Sequence, residues 1–99
     1  MKKYLTILQG KIFKLLPMKE SYEDGIDNHF ANYVENLYIN SAGFMERYPE
    51  LSEDKDFVEA CNNIAFLKNN VGVDIKTWRS IVLRSVRLIG STLKKIDEE

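Results

Sequence analysis

Residues 74–96 read DIKTWRSIVLRSVRLIGSTLKKI, and this stretch decides the fold class. Ile75, Trp78, Val82, Val86, Ile89, Leu93 and Ile96 recur at three- and four-residue steps, the period of one helix face. Asp74 stands where a capping residue belongs. Ile81 and Leu88 widen the apolar arc on one flank, which predicts contact with two neighbours. Lys76, Arg79, Arg84, Arg87, Lys94 and Lys95 lie opposite, within about 160° of the helical wheel, with Leu83 among them. A long helix with so wide an apolar stripe needs partner helices to cover it.

Three further helices are legible upstream. One spans 3–16, where Tyr4, Leu5, Leu8, Ile12, Leu15 and Leu16 fall within about 120°; Phe13 lies just outside this arc and Gly10 weakens the middle. Pro17 is expected to stop it, because the residue before a proline disfavours helical geometry. The next spans 22–48, capped by Ser21 or Asp24. Its narrow stripe is Ile26, Phe30, Tyr33, Val34, Leu37, Ser41, Phe44 and Tyr48, ended by Tyr48-Pro49. The third spans 53–70, capped by Ser52, with Glu53, Asp54 and Asp56 in the first turn, where the helix dipole favours acids. Phe57, Ala60, Cys61, Ile64 and Leu67 form its stripe, and Asn69-Asn70-Val71-Gly72 closes it. The last spans 74–96, with a frayed acidic tail beyond. Four amphipathic helices on short links predict an all-α antiparallel bundle, a single domain over 1–99.

The 99 residues, 44% hydrophobic and 29% charged, suit a globular chain with a small core, for which self-association is a natural way to bury more surface. Charge is segregated in blocks. Residues 1–19 hold five lysines and no acid, residues 20–59 hold eleven acids against Arg47 and Lys55, and residues 60–95 hold seven bases against Asp74. The net charge of −1 hides this layout and gives no global pull towards nucleic acid or anionic lipid. Lone Cys61 excludes an intrachain disulfide and a cysteine zinc cluster. Met1-Lys2-Lys3 before an apolar run resembles the start of a signal peptide, but Lys11 and Lys14 interrupt that run and no small-residue cleavage site follows. No apolar run approaches membrane-spanning length, so a cytoplasmic protein is expected.

One side of the second helix carries His29, Asn32, Asn36, Asn40, Gly43 and Arg47. Asparagine is a poor interior helix former, so three at four-residue steps call for a reason. An interface supplies one: amides bond a partner backbone, and Gly43 permits close approach. A solvated polar side is the plainer alternative. The basic face of the last helix can track phosphates, dock an acidic protein surface, or pair with acids of the second and third helices. No helix-turn-helix spacing, finger or aromatic RNA-binding signature supports nucleic acid. The acidic block can bind a basic protein or mimic a phosphate backbone; solvated faces and first-turn acids explain it more simply. No Glu-x-x-His pair projects from a core stripe, and Glu53-Asp54-Lys55-Asp56 lacks the glycine and later Glu of a calcium loop. His29 has no second histidine or nucleophile at a useful spacing. Cys61 reads as a small buried hydrophobe and Trp78 as packing. The basic, amphipathic first helix can lie on a membrane, though bundle core accounts for its apolar arc.

Lys11-Ile12-Phe13-Lys14-Leu15-Leu16-Pro17-Met18-Lys19-Glu20 with the Tyr33-to-Phe44 helix, and the closing segment from Trp78-Arg79-Ser80-Ile81-Val82-Leu83-Arg84 onward, resemble small uncharacterised helical proteins of prophages and mobile elements in low-GC Gram-positive bacteria. The resemblance covers about two thirds of the chain. It implies a phage or mobile-element setting and supplies no activity or catalytic residue.

The expected function is therefore a non-enzymatic protein-interaction module, binding a protein partner or itself through Asn32, Asn36, Asn40 and Arg47. The alternative is a nucleic-acid-binding accessory protein using Lys76, Arg79, Arg84, Arg87 and Lys94. Neither cofactor, metal nor membrane is expected.

Overall fold

A computed structural model describes residues 1–18 and 28–97. Among the described residues there is no strand, and four long α-helices are present: α1 (Lys2–Phe13), α2 (Asn28–Arg47), α3 (Lys55–Asn69) and α4 (Ile75–Asp97), with a 3-10 turn over Pro49–Glu53 between α2 and α3. The expected all-α bundle is what forms. Helix α4 packs extensively against both α3 and α1, and α2 packs on α3 and the 3-10 turn. Helices α1 and α2 touch only sparingly. Among the described residues the bundle thus runs α1, α4, α3, α2 around its core and is open at the α1–α2 seam.

The core is formed by the anticipated stripes. Leu5, Leu8, Ile12 and Leu15 are buried from the N-terminal segment, Val34 and Leu37 from α2, and Phe57, Ala60, Cys61, Ile64 and Leu67 from α3. Trp78, Val82 and Ile89 complete it from α4. Ser41, Ser85 and Thr92 are also buried. Each hydroxyl donates to the carbonyl four residues earlier, at 2.8, 2.8 and 3.3 Å respectively, which satisfies the polar group inside the core.

Several expectations are corrected. Helix α1 ends at Phe13; Lys14 is a turn, and helical backbone resumes over 15–18. Pro17 therefore does not stop a helix. It sits in the first turn of the resumed one, where a backbone N–H has no intrahelical partner to lose. The cap of α3 is Asp54, not Ser52: its Oδ1 accepts from the N–H groups of Asp56 and Phe57 at 3.0 and 3.1 Å. Pro49 starts a 3-10 turn that consumes Ser52, whose hydroxyl donates to the Pro49 carbonyl at 2.6 Å. Tyr4 and Ile75, assigned to core stripes, are 47% and 37% exposed, because Tyr4 faces the open seam and Ile75 begins its helix. Ser21, Asp24 and Ile26 lie outside the described residues, as do the side chains of His29 and Phe30.

Polar contacts bind α3 to α4. Ser91 Oγ donates to Asp56 Oδ2 at 2.7 Å, Thr92 Oγ1 to Asp54 Oδ1 at 3.3 Å, and Lys95 Nζ to Asp56 Oδ2 at 3.0 Å. Asp74 caps α4 as expected, accepting from the backbone N–H and hydroxyl of Thr77 at 3.1 and 2.6 Å.

Candidate functional site

The open α1–α2 seam is a groove of about 370 Å³, and an adjoining lobe adds about 230 Å³. Tyr4, Ile7, Leu8 and Lys11 line it from α1; Ile39, Asn40, Gly43, Phe44 and Arg47 line it from α2. The lobe lies between Lys11 and Tyr33, Asn36, Leu37 and Asn40. Lys11 and Asn40 belong to both, so the two adjoin along the seam.

Helical spacing builds each wall. Tyr4, Ile7, Leu8 and Lys11 are separated by steps of three, one and three, so they share one face of α1. Asn36, Asn40, Gly43 and Arg47 do the same on α2. The Tyr4 and Phe44 rings meet at 6.5 Å, and Phe44 stacks on Tyr48, also at 6.5 Å. At the other end the Tyr33 hydroxyl donates to the Lys11 carbonyl at 2.9 Å. Burial pushes the Tyr33 hydroxyl above its ordinary value, so it stays a neutral donor. These contacts also establish that α1 and α2 are antiparallel.

The seam joins an apolar centre to polar ends. Tyr4, Ile7 and Ile39 are 47%, 47% and 56% exposed, so accessible apolar surface is concentrated along the groove. A Cβ built on Gly43 meets nothing within 4 Å, so this glycine leaves room in the wall. Lys11 and Arg47 stand at opposite ends, and neither meets a carboxylate among the described residues.

The structure brings most of the expected polar stripe to this place. Asn40, Gly43 and Arg47 line the main groove and Asn36 the lobe. Asn32 is exposed but lines neither. The apolar partners of the stripe, Tyr4, Ile7 and Ile39, were missed in sequence. Tyr4 reads as part of the core arc of the first helix, Ile7 and Ile39 lie off the stripes of their helices, and only tertiary register brings the α1 pair against Ile39.

The basic face of α4 lies away from the groove. Lys76, Arg79, Arg84, Arg87 and Lys94 are all exposed, but part of the face is engaged by acids. Arg84 Nε lies 2.7 Å from Glu59 Oε2, and this hydrogen bond raises the Arg84 value. Lys95 is held between Asp54 and Asp56 at 3.4 and 3.0 Å. The Ser91 hydroxyl, followed by Lys95, lowers the Asp56 carboxyl below its ordinary value.

No family model, curated protein or solved structure matches the chain. Among the described residues no group of three His, Cys, Asp or Glu side chains is placed to hold a metal ion, and no helix is long and apolar enough to cross a membrane.

Proposed function

We propose that the protein is a small non-enzymatic interaction module that docks a protein helix, from another chain or a second copy of itself, in the α1–α2 groove. The observation that carries this is the convergence of exposed Tyr4, Ile7 and Ile39 beside the amides of Asn36 and Asn40. An amphipathic helix laid in the groove buries its apolar anchors against the first three and meets side-chain amides at the edge. By helix rise, Asn36 to Arg47 extends about 16 Å, room for about three turns of a docked helix. The phage or mobile-element setting that the resemblance of the opening and closing segments implies accords with this role, because small acidic or mixed-charge proteins in such a setting often act by binding host or phage proteins. The basic face of α4 is the less favoured contact surface, since Arg84 and Lys95 already have acidic partners.

A photo-crosslinking residue at Ile39 tests the reading in the native cells, with the same residue at Leu83 as control. The expected result is a protein cross-link from position 39 that disappears with Asn36→Arg and is absent from position 83. No protein cross-link from position 39 would overturn it.

A further inference from the structure

We propose that the groove is closed by a second copy of this chain, packed about a two-fold axis parallel to α1 and α2, so that α1 of each copy lies against α2 of the other. This rests on the docking reading above and names the occupant.

The argument begins with the outer rims of the groove. On α1 the rim carries Lys3, Ile7 and Lys14; on α2 it carries Glu35, Ile39 and Glu46. Both trios have the same spacing: charge, isoleucine four residues on, charge seven further on. Each trio therefore spans about 40° of its helical wheel. All six residues are exposed. Among the described residues none of the four charges forms an ion pair.

Register then decides the arrangement. Tyr4 stands level with Phe44, and Lys11 shares its lobe with Asn36 and Leu37. Because the helices are antiparallel, Lys3 is level with residue 45 and Lys14 with residue 34, each about 1.5 Å along the axis from Glu46 and Glu35, and Ile7 is level with a point about 3 Å from Ile39. Rotation about an axis parallel to the helices keeps these levels and exchanges the sides. Lys3 then faces the partner's Glu46, Lys14 faces the partner's Glu35, and Ile7 faces the partner's Ile39. Every contact occurs twice by symmetry. Lys11 lies deeper, toward the partner's Asn36 and Asn40, and Arg47 sits at the open end, level with Met1.

Rotation about the perpendicular in-plane axis would instead set lysine rim against lysine rim and glutamate rim against glutamate rim. The charge pattern therefore selects one packing and opposes the other. The four helices at the contact alternate in direction, the arrangement of an antiparallel bundle. Tyr4, Ile7 and Ile39 of each copy make its dry centre, which a chain of 99 residues with a small core gains from burying.

Sedimentation equilibrium on the purified full chain is the test, with circular dichroism checking that each variant folds. Wild type should be a dimer. Lys3→Glu and Glu46→Lys should each weaken it by roughly tenfold, because two ion pairs become two like-charge contacts. Combining Lys3→Glu with Glu46→Lys should restore the dimer, since each reversed lysine meets a reversed glutamate. Combining Lys3→Glu with Glu35→Lys should not, because those positions stand at different levels. A wild type that stays monomeric at its highest soluble concentration would overturn the proposal. Equal rescue by Glu35→Lys, or a Lys3→Glu variant that dimerises as tightly as wild type, would also overturn it. A monomeric chain that cross-links another protein from position 39 would leave the docking reading standing and remove this one; no cross-link at all would remove both.

Discussion

The indole Nε1–H of Trp78 donates to the backbone carbonyl of Leu15 at 3.1 Å, across 63 residues of sequence. Both residues are fully buried. The bond fixes the start of α4 against the helical turn that follows α1, and so supports the wall from which Tyr4 and Ile7 project. Farther along the same pair, Gln9 Nε2 donates to the Val86 carbonyl at 2.9 Å. A Cβ built on Gly90 would stand 3.2 Å from that Gln9 nitrogen, so the glycine gives the amide its approach.

Trp78→Phe keeps an aromatic ring but leaves the Leu15 carbonyl without this donor. Orphaning a buried acceptor costs about 1–3 kcal/mol. Urea unfolding followed by circular dichroism should show a loss of that size. An unchanged midpoint would mean the bond contributes nothing net.

Asp54 rather than Ser52 starts α3. Asp54→Ala removes the acceptor for two backbone N–H groups and should cost about 0.5–2 kcal/mol. Ser52→Ala removes only a hydroxyl bond within the 3-10 turn and should cost less. Thermal melts of the two variants compare the assignments directly, and a reversed ranking would restore Ser52 as the cap.

Gly43→Ala should separate folding from docking. A methyl group there meets nothing within 4 Å, and an interior helical glycine is about 0.5–1 kcal/mol worse than alanine. The variant should therefore unfold at higher urea while associating several-fold more weakly, because the methyl stands in the groove. Equal or tighter association would show that this wall is not in contact.

Cys61 gives a pH signature. Burial pushes its thiol up to about 12 from an ordinary value of 9.0. The unfolded chain thus releases this proton first. Stability is unaffected by the thiol below the unfolded value and falls as pH rises above it, by about 1.4 kcal/mol per pH unit until the folded thiol ionises. Unfolding of wild type and Cys61→Ala across this range should show the steeper decline in wild type. Parallel curves would mean that the thiol is solvated in the fold.

Much of the bundle was legible because helical period and burial agree. The α3 stripe from Phe57 to Leu67 and the centre of α4 are buried as their spacing requires. Ser85 and Thr92 were not legible as core, since their burial depends on hydroxyl partners, the Ile81 carbonyl for Ser85 and the Leu88 carbonyl and Asp54 carboxylate for Thr92, that periodicity does not show. Leu51 is buried within a turn that carries no periodic signal. At the site, the asparagine stripe could be seen because asparagine contradicts helix propensity. The matched Lys3-Ile7-Lys14 and Glu35-Ile39-Glu46 rims could not be recognised as facing sets until α1 and α2 were known to be antiparallel and in register.

Size-exclusion chromatography with light scattering, at low salt and at about 0.5 M salt, tests the central claim most directly. At the higher salt the Debye length falls to about 4 Å, which screens the exposed rims and leaves the apolar centre intact. A dimer at low salt, weakened at high salt and still recovered at high protein concentration, is the predicted result, with Ile39→Arg monomeric in both. A wild-type chain that elutes as a monomer under every condition would contradict it.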